Sequence, residues 1–148
     1  MGRKSLPKKV HAAITRLCEE GDELAKEGND AAAYTKYSEA WELLPADKEK
    51  WEASTWVLGA VGELQFRNRK FDKALNSYLR AVQCPNGLGN PYIHLRIGQA
   101  QYELGNLEGA ADNLARAYLG GGPEMFQGGD PKYFAFLKTR LKPPSGGW

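Results

Sequence analysis

A threefold repeat of small and large residues is the feature that most constrains the fold of this chain. Each copy runs from a glycine to an alanine twelve residues later, then to a large residue after four more and to a second alanine after a further three. The three copies are Gly21-Ala33-Tyr37-Ala40, Gly62-Ala74-Tyr78-Ala81 and Gly98-Ala110-Leu114-Ala117. Such self-similarity indicates an array of like supersecondary units that bury their apolar faces against one another.

The spacing within each copy predicts a pair of antiparallel helices. Small residues are needed where two helices cross at close range, and the large residue is expected to fill the gap between neighbouring pairs. With the turn signals, the repeat predicts six helices over residues 8–27, 30–44, 49–67, 71–83, 91–104 and 107–119. Gly28 and Gly105 are the expected left-handed residues of the first and third turns, and Asn68 is that of the second.

A seventh helix is predicted from residue 130 to about residue 140. Asp130 is a good N-cap, and Pro131 suits the first helical turn. The segment has too many apolar side chains for a free tail, namely Tyr133, Phe134, Phe136, Leu137 and Leu141. An array of repeats needs an element that covers its last exposed core face, so we expect this helix to be a cap. We also expect the terminal Trp148 to pack against the body of the chain.

This pattern resembles the tetratricopeptide repeat (TPR) family, in which an aromatic residue and a leucine precede the glycine of each unit. The small residues match in all three units, but Leu17, Leu58 and His94 replace the leading aromatic, and Glu20 replaces the first leucine. The glycines are 41 and 36 residues apart, whereas the regular repeat has about 34 residues. The first connection between units therefore carries extra residues.

The resemblance implies an all-α, TPR-like α-solenoid of three helix–turn–helix repeats plus a C-terminal capping helix. We expect one domain over residues 1–148, with the following parts: repeats at about 14–47, 55–88 and 91–124, and the capping helix and tail at 130–148.

Composition and charge bound the possible partners and the compartment. The net charge is +2 and the basic residues are spread along the chain, which by itself argues neither for nor against nucleic acid. A dedicated phosphate binder would usually be more basic, and no nucleic-acid partner is predicted. No apolar run approaches the roughly 20 residues that cross a bilayer, and no membrane association is expected. The basic start, residues 1–7, is not followed by an apolar stretch and is not a signal peptide. We therefore predict a cytoplasmic protein.

The sequence contains no recognisable catalytic or metal-binding motif. His11 and His94 have no Cys, Asp or Glu at a metal-ligand spacing, and His94 is interpreted as a half-buried helix residue. The run Gly120-Gly121-Gly122 lacks the Gly-Lys-Ser/Thr ending of a phosphate loop. Cys18 lies in no nucleophile motif, and together with Cys84 it is interpreted as a free thiol. We predict no enzymatic activity, no cofactor and no metal.

In a solenoid of this kind the first helices of the units line the concave side, and a protein partner would bind there. Helical spacing places eight candidate residues on that face, which are Trp56, Glu63, Phe66, Arg67, Tyr92, Arg96, Gln99 and Tyr102. Aromatic and arginine side chains dominate interface hot spots. For Trp56 and Phe66 a place in the core remains the alternative. A carboxylate clamp for peptide C-termini is not expected, because Arg96 alone would serve it.

Five stretches resemble, more narrowly, a group of small bacterial repeat proteins that are encoded beside polymorphic secreted toxins. They are Trp41-Glu42-Leu43-Leu44-Pro45, Trp51-Glu52-Ala53-Ser54-Thr55-Trp56, residues 89–96, Asp130-Pro131-Lys132-Tyr133 and residues 143–148. This resemblance implies an immunity protein that neutralises a cognate toxin by binding it. The alternative is an adaptor or co-chaperone-like scaffold that binds peptides or assembles protein complexes. The oligomeric state stays open.

Overall fold

The computed structural model of the protein describes residues 5–148, and this part of the chain is all-α. It holds seven α-helices and no strand, which confirms the all-α part of the predicted fold class. The helices are α1 (Lys8–Lys26), α2 (Asp30–Leu43), α3 (Glu52–Arg67), α4 (Phe71–Val82), α5 (Pro91–Glu103), α6 (Leu107–Gly121) and α7 (Pro131–Lys138). Short 3-10 helices lie at Lys48–Lys50 and Pro123–Phe126. Residues 1–4, on which the prediction of no signal peptide partly rests, lie outside the described residues.

The connection between α2 and α3 accounts for the largest error in the predicted helix bounds. Helix α3 begins at Glu52 and not at residue 49, because a 3-10 turn precedes it and Trp51 is extended. The ammonium group of Lys48 lies 2.7 Å from the carbonyl oxygens of both Trp41 and Leu44. A cation that donates to the last carbonyls of a helix stabilises its end. The extra residues of this connection therefore stabilise the C-terminal end of α2.

The turn between α3 and α4 differs from the prediction. Arg69, with φ of 60°, adopts the left-handed conformation there, and Asn68 does not. The Asn68 side chain instead donates to the Leu64 carbonyl and to Asp30 Oδ2, both at 2.7 Å. These two bonds hold Asn68 next to the helix end, so the following residue must make the reversal. The predicted left-handed Gly28 and Gly105 are confirmed, with φ of 80° and 86°.

Each repeat glycine receives the large residue of its own helix pair. A Cβ at Gly21 would lie 2.6 Å from the Tyr37 ring, and one at Gly62 would lie 2.8 Å from the Tyr78 ring. At Gly98 the corresponding distance is 2.8 Å, to Leu114. The glycine and the large residue lie at similar sequence distances on either side of the turn, as two residues that meet in an antiparallel helix pair must. The large residue therefore packs within its own pair, a contact that the sequence analysis did not predict.

Three core clusters follow one another along the chain, and each spans three consecutive helices. The first joins α1, α2 and α3, the second joins α3, α4 and α5, and the third joins α5, α6 and α7. Helices α3 and α5 therefore each contribute to two clusters. Tyr37, Tyr78 and Leu114 belong to the successive clusters and are at most 2 % exposed. This sharing couples each helix pair to the next.

The C-terminal segment covers the last cluster. Tyr133 and Leu137 of α7 are buried against Leu114 and Tyr118 of α6. Trp148 packs with its ring centroid 5.5 Å from that of Tyr118 and 5.8 Å from that of Phe134. The apolar side chains that the sequence assigns to a capping helix thus lie in or against the third core cluster.

Candidate partner-binding face

Helices α1, α3 and α5, the first helices of the three pairs, adjoin one another in chain order. Helix α1 contacts α3, and side chains of α5 bond to α3. We define the first-helix face by six side chains of α3 and α5, which are Trp56, Glu63, Phe66, Tyr92, Arg96 and Gln99. Gln99 is only 6 % exposed, so it does not face outward as predicted. Trp56 and Tyr92 occupy the same repeat position, six residues before the glycine of their unit. The repeat therefore places an aromatic side chain near the start of both α3 and α5.

An ion pair joins α3 to α5 at the centre of this face. Arg96 Nε donates to Glu63 Oε2 at 2.9 Å, and Arg96 Nη2 donates to Glu63 Oε1 at 3.0 Å. The hydroxyls of Tyr78 and Tyr92 also donate to the Glu63 carboxylate. Bidentate arginine–carboxylate pairs with further donors are among the strong, geometrically specific hydrogen bonds. The two charges satisfy each other, so they hold the face together.

The Arg96 guanidinium has partners on its remaining sides. Arg96 Nη1 donates to Gln99 Oε1 at 2.8 Å. The guanidinium carbon lies 4.4 Å from the Phe66 ring centroid and 5.4 Å from that of Tyr92. A cation at such distances is attracted by the ring electrons. With Glu63, aromatic rings and an amide around it, Arg96 is engaged within the chain and does not present a free cation to a peptide carboxylate.

Ionisation of these groups follows from their contacts. Burial disfavours the charged form of Glu63, but hydrogen bonds from Arg96, Tyr78 and Tyr92 outweigh it and hold the pKa of that carboxyl below its ordinary value. Burial, followed by the hydrogen bond to Glu63, raises the pKa of Tyr92 to about 12. At neutral pH Glu63 is therefore ionised and the Tyr92 phenol is protonated, as the hydrogen bond between them requires.

The other three predicted site residues lie apart from this network. Arg67 bonds to Asp30, the first residue of α2, and so ties the end of α3 to the first helix pair. Tyr102 is half-buried against α7, with its ring centroid 5.5 Å from that of Tyr133 and 5.1 Å from that of Phe136. We predicted that Tyr102 faces a partner, but much of its surface contacts the C-terminal helix.

Trp56, the remaining predicted residue, is exposed near the start of α3. Its side chain is 42 % exposed, and its ring meets that of His11 of α1 edge to face at 5.7 Å. Phe66 is half-buried beneath Arg96 and beside Phe71, at a centroid distance of 5.2 Å. The sequence leaves open whether Trp56 and Phe66 lie on the surface or in the core, and the two residues differ in this respect. Trp56 is a surface aromatic, and Phe66 belongs to the edge of the second core cluster.

Tyr78 is a member of the network that the sequence analysis missed. Its ring packs on Gly62, and its hydroxyl reaches the next residue, Glu63. The first unit has the same arrangement, because the Tyr37 hydroxyl donates to Asp22 at 2.6 Å. An acidic residue directly after the repeat glycine, with a tyrosine fifteen residues further on, is the signal that could have revealed this bond.

Cys18 and His94, two of the side chains that could carry chemistry, have the surroundings of structural residues. Burial, followed by the charges of Asp22 and Glu19, raises the pKa of the Cys18 thiol to about 11. His94 is buried, its Nε2 accepts from the Gly89 amide at 3.1 Å, and its Nδ1 lies 2.9 Å from Asn113 Oδ1. His94 is thus a structural residue. Within residues 5–148 no three His, Cys, Asp or Glu side chains form a group that could hold a metal ion.

Two further observations do not concern a particular site. None of the helices in the described range combines the length and the apolar character that crossing a bilayer requires. No protein-family model matches the chain, and no curated protein matches it. The likeness to tetratricopeptide repeats therefore rests on the residues and contacts described above.

Proposed function

We propose that the three helix pairs stack as a tetratricopeptide-type solenoid and that the first-helix face binds another protein. More specifically, we propose that the chain is an immunity protein that neutralises a cognate toxin domain in the cytoplasm by direct binding. A chain without catalytic groups can block an enzyme by occupying its active-site mouth or the surface that meets its target. Both modes need a desolvated patch with a few strong anchors.

The observation that carries this proposal is the pair of exposed aromatics at equivalent repeat positions. Trp56 is 42 % exposed and Tyr92 is 41 % exposed. The Tyr92 ring is already held by Glu63 and Arg96, so little side-chain freedom is lost when it is buried. Side chains that are ordered before binding lower the entropic cost of association. The face thus offers aromatic contact area on a rigid base.

One observation favours the adaptor alternative. A groove of about 460 Å³ runs between α2 and α4 over α3, away from the first-helix face, and is lined by Tyr34, Trp41, Val57 and Gln65 among others. The Arg80 guanidinium lies over the Trp41 ring there, 5.0 Å from its centroid. An extended segment of a client could lie in such a groove. In that case substitutions in the groove would impair binding, and substitutions on the first-helix face would not.

The proposal predicts a toxin domain encoded beside this chain, and the test is protection of cells from that domain. We expect co-expression of the parent chain to restore growth, and Trp56→Ala with Tyr92→Ala to weaken binding at least about tenfold, or 1.4 kcal/mol. Leu119→Ala is the matched control, because Leu119 is 76 % exposed on α6, a second helix. Full protection by the double variant would disprove the role of the face, and no protection by the parent would disprove the immunity proposal.

A further inference from the structure

A pocket separate from the Glu63 network lies beside Trp56. Its volume is about 260 Å³, and it lies where the starts of α1 and α3 meet the loop after α4. The residues that matter here are Leu6, His11, Trp51, Glu52, Trp56 and Pro85. We call it the Trp56 pocket. Small-molecule sites usually enclose about 300–1,000 Å³, so this pocket has the size for one side chain.

Three aromatic rings line the Trp56 pocket, those of His11, Trp51 and Trp56. The Trp56 and His11 rings meet at 81°, which makes a corner. Trp51 supplies a second indole, and its Nε1 donates to the Ala46 carbonyl at 3.3 Å. This bond orients the Trp51 ring, because the donor is fixed to the connection before α3. The pocket therefore presents two indoles, of which Trp51 is oriented by a contact outside the pocket and Trp56 by the His11 ring within it.

Many of the other aromatic rings have one of the chain's own cations over them. The described residues form ten contacts of a Lys or Arg over an aromatic ring. Trp41 has Arg80 and Lys48 at 5.0 and 5.4 Å, and Trp148 has Lys138 at 5.8 Å. Among residues 5–148 no such cation lies over Trp51 or Trp56. Within the described residues, Trp51 and Trp56 are thus the two tryptophans that have no cation of the chain over them.

The charges around the pocket fit a cation. Glu52 lies on the pocket wall at the first residue of α3, is exposed, and has no ion pair within the described part of the chain. Lys50, the basic residue that lines the pocket, is paired with Asp47 at 3.4 Å. A carboxylate beside two indole faces attracts a positive group and repels an anion.

We infer that the Trp56 pocket receives an arginine side chain of the partner protein. A guanidinium is planar, stacks on aromatic faces and donates to a carboxylate in a fixed fork, so it matches two indoles and Glu52. That the arginine belongs to a protein partner rests on the proposed function. The pocket adds a charged anchor at the end of the first-helix face where Trp56 lies.

The direct test uses the full chain, labelled with ¹⁵N, whose four tryptophans each give one indole N–H signal in an NMR spectrum. The probe is N-acetyl-L-arginine amide, and the control is N-acetyl-L-citrulline amide, which has the same shape without the charge. We expect the arginine probe to shift the Trp51 and Trp56 signals saturably, and the citrulline control to bind roughly fivefold more weakly. The signals of Trp41 and Trp148 should not move.

Two results would overturn the inference at this stage. One is a citrulline response equal to that of arginine, and the other is the absence of a saturable shift at Trp51 and Trp56. Glu52→Gln should weaken binding of the arginine probe, because it removes the carboxylate and keeps the shape of the side chain. An unchanged affinity in this variant would contradict the role assigned to Glu52.

The second arm uses the toxin domain and separates this inference from the proposed function. Charge reversal in Glu52→Arg should weaken toxin binding at least about tenfold. If the toxin domain binds the parent and Glu52→Arg equally well, no partner arginine lies in the pocket and the inference is wrong, although the proposed function stands. If the toxin domain does not bind the parent, the proposed function fails, and the arginine probe alone decides what the pocket accepts.

Discussion

The repeat glycines give the sharpest test of the helix pairing. In Gly62→Ala the new Cβ would lie 2.8 Å from two atoms of the Tyr78 ring. The ring cannot easily retreat, because Tyr78 is 0 % exposed and its hydroxyl is bonded to Glu63. Overpacking of a core costs about 1–3 kcal/mol, whereas alanine gains about 0.8–1 kcal/mol over glycine inside a helix. The loss through overpacking should exceed the gain, and we expect a net destabilisation of up to about 2 kcal/mol.

Gly59→Ala is the matched control, since it lies one turn earlier in the same helix. A Cβ at Gly59 would meet no atom within 4 Å, so the helix preference acts alone and should stabilise the chain by about 0.5–1 kcal/mol. For a chain of this length, 1 kcal/mol corresponds to about 2–4 °C in Tm. Thermal unfolding followed by circular dichroism should therefore shift in opposite directions for the two variants. An equal rise in Tm for both would refute the close contact between α3 and α4.

Three further predictions concern stability. Leu137→Ala, at a position that is 0 % exposed, should lower the free energy of unfolding in denaturant by about 2–5 kcal/mol. A loss of only about 0.5 kcal/mol, the value expected for the exposed Leu119→Ala, would show that α7 is not a cap. Ala74→Leu, also at 0 % exposure, should cost about 1–3 kcal/mol, and a neutral result would contradict the repeat alignment. Because the folded pKa of Glu63 is lowered, its stabilisation exists above the unfolded pKa and is lost as the pH falls through the folded one. The Tm of Glu63→Gln should thus fall less than that of the parent between about pH 6 and pH 3, and an equal fall would exclude a contribution from the network.

The helix pairs were predictable because glycine, alanine and the large residue recur at a fixed spacing. The same repeat spacing contains information that the prediction did not use. Gly28, Arg69 and Gly105 each stand seven residues after a repeat glycine, so position 69 could have been assigned the left-handed conformation. The type of residue pointed to Asn68 instead, since asparagine tolerates that conformation well. The contact of Asn68 with Asp30 of another helix decided the outcome, and no local pattern encodes such a contact.

The membership of the candidate face was predictable only in part, and the bonds within it were not predictable. Helical spacing placed Glu63, Tyr92 and Arg96 on one side, yet it could not show that they bond to one another, because that depends on how far α3 and α5 are offset. Tyr102 shows the same limit. Its helical position points outward from α5, and α7, which arrives from about thirty residues further along the chain, covers it.

The central claim is that this chain binds one folded toxin domain tightly, and calorimetric titration of the purified pair tests it most directly. We predict one chain per toxin domain with a Kd near or below about 1 nM, or roughly −12 kcal/mol. The heat of binding should be lost or greatly reduced in the double variant at Trp56 and Tyr92, and unchanged in Leu119→Ala. No saturable heat with the parent chain, or a Kd weaker than about 10 μM, would contradict the account.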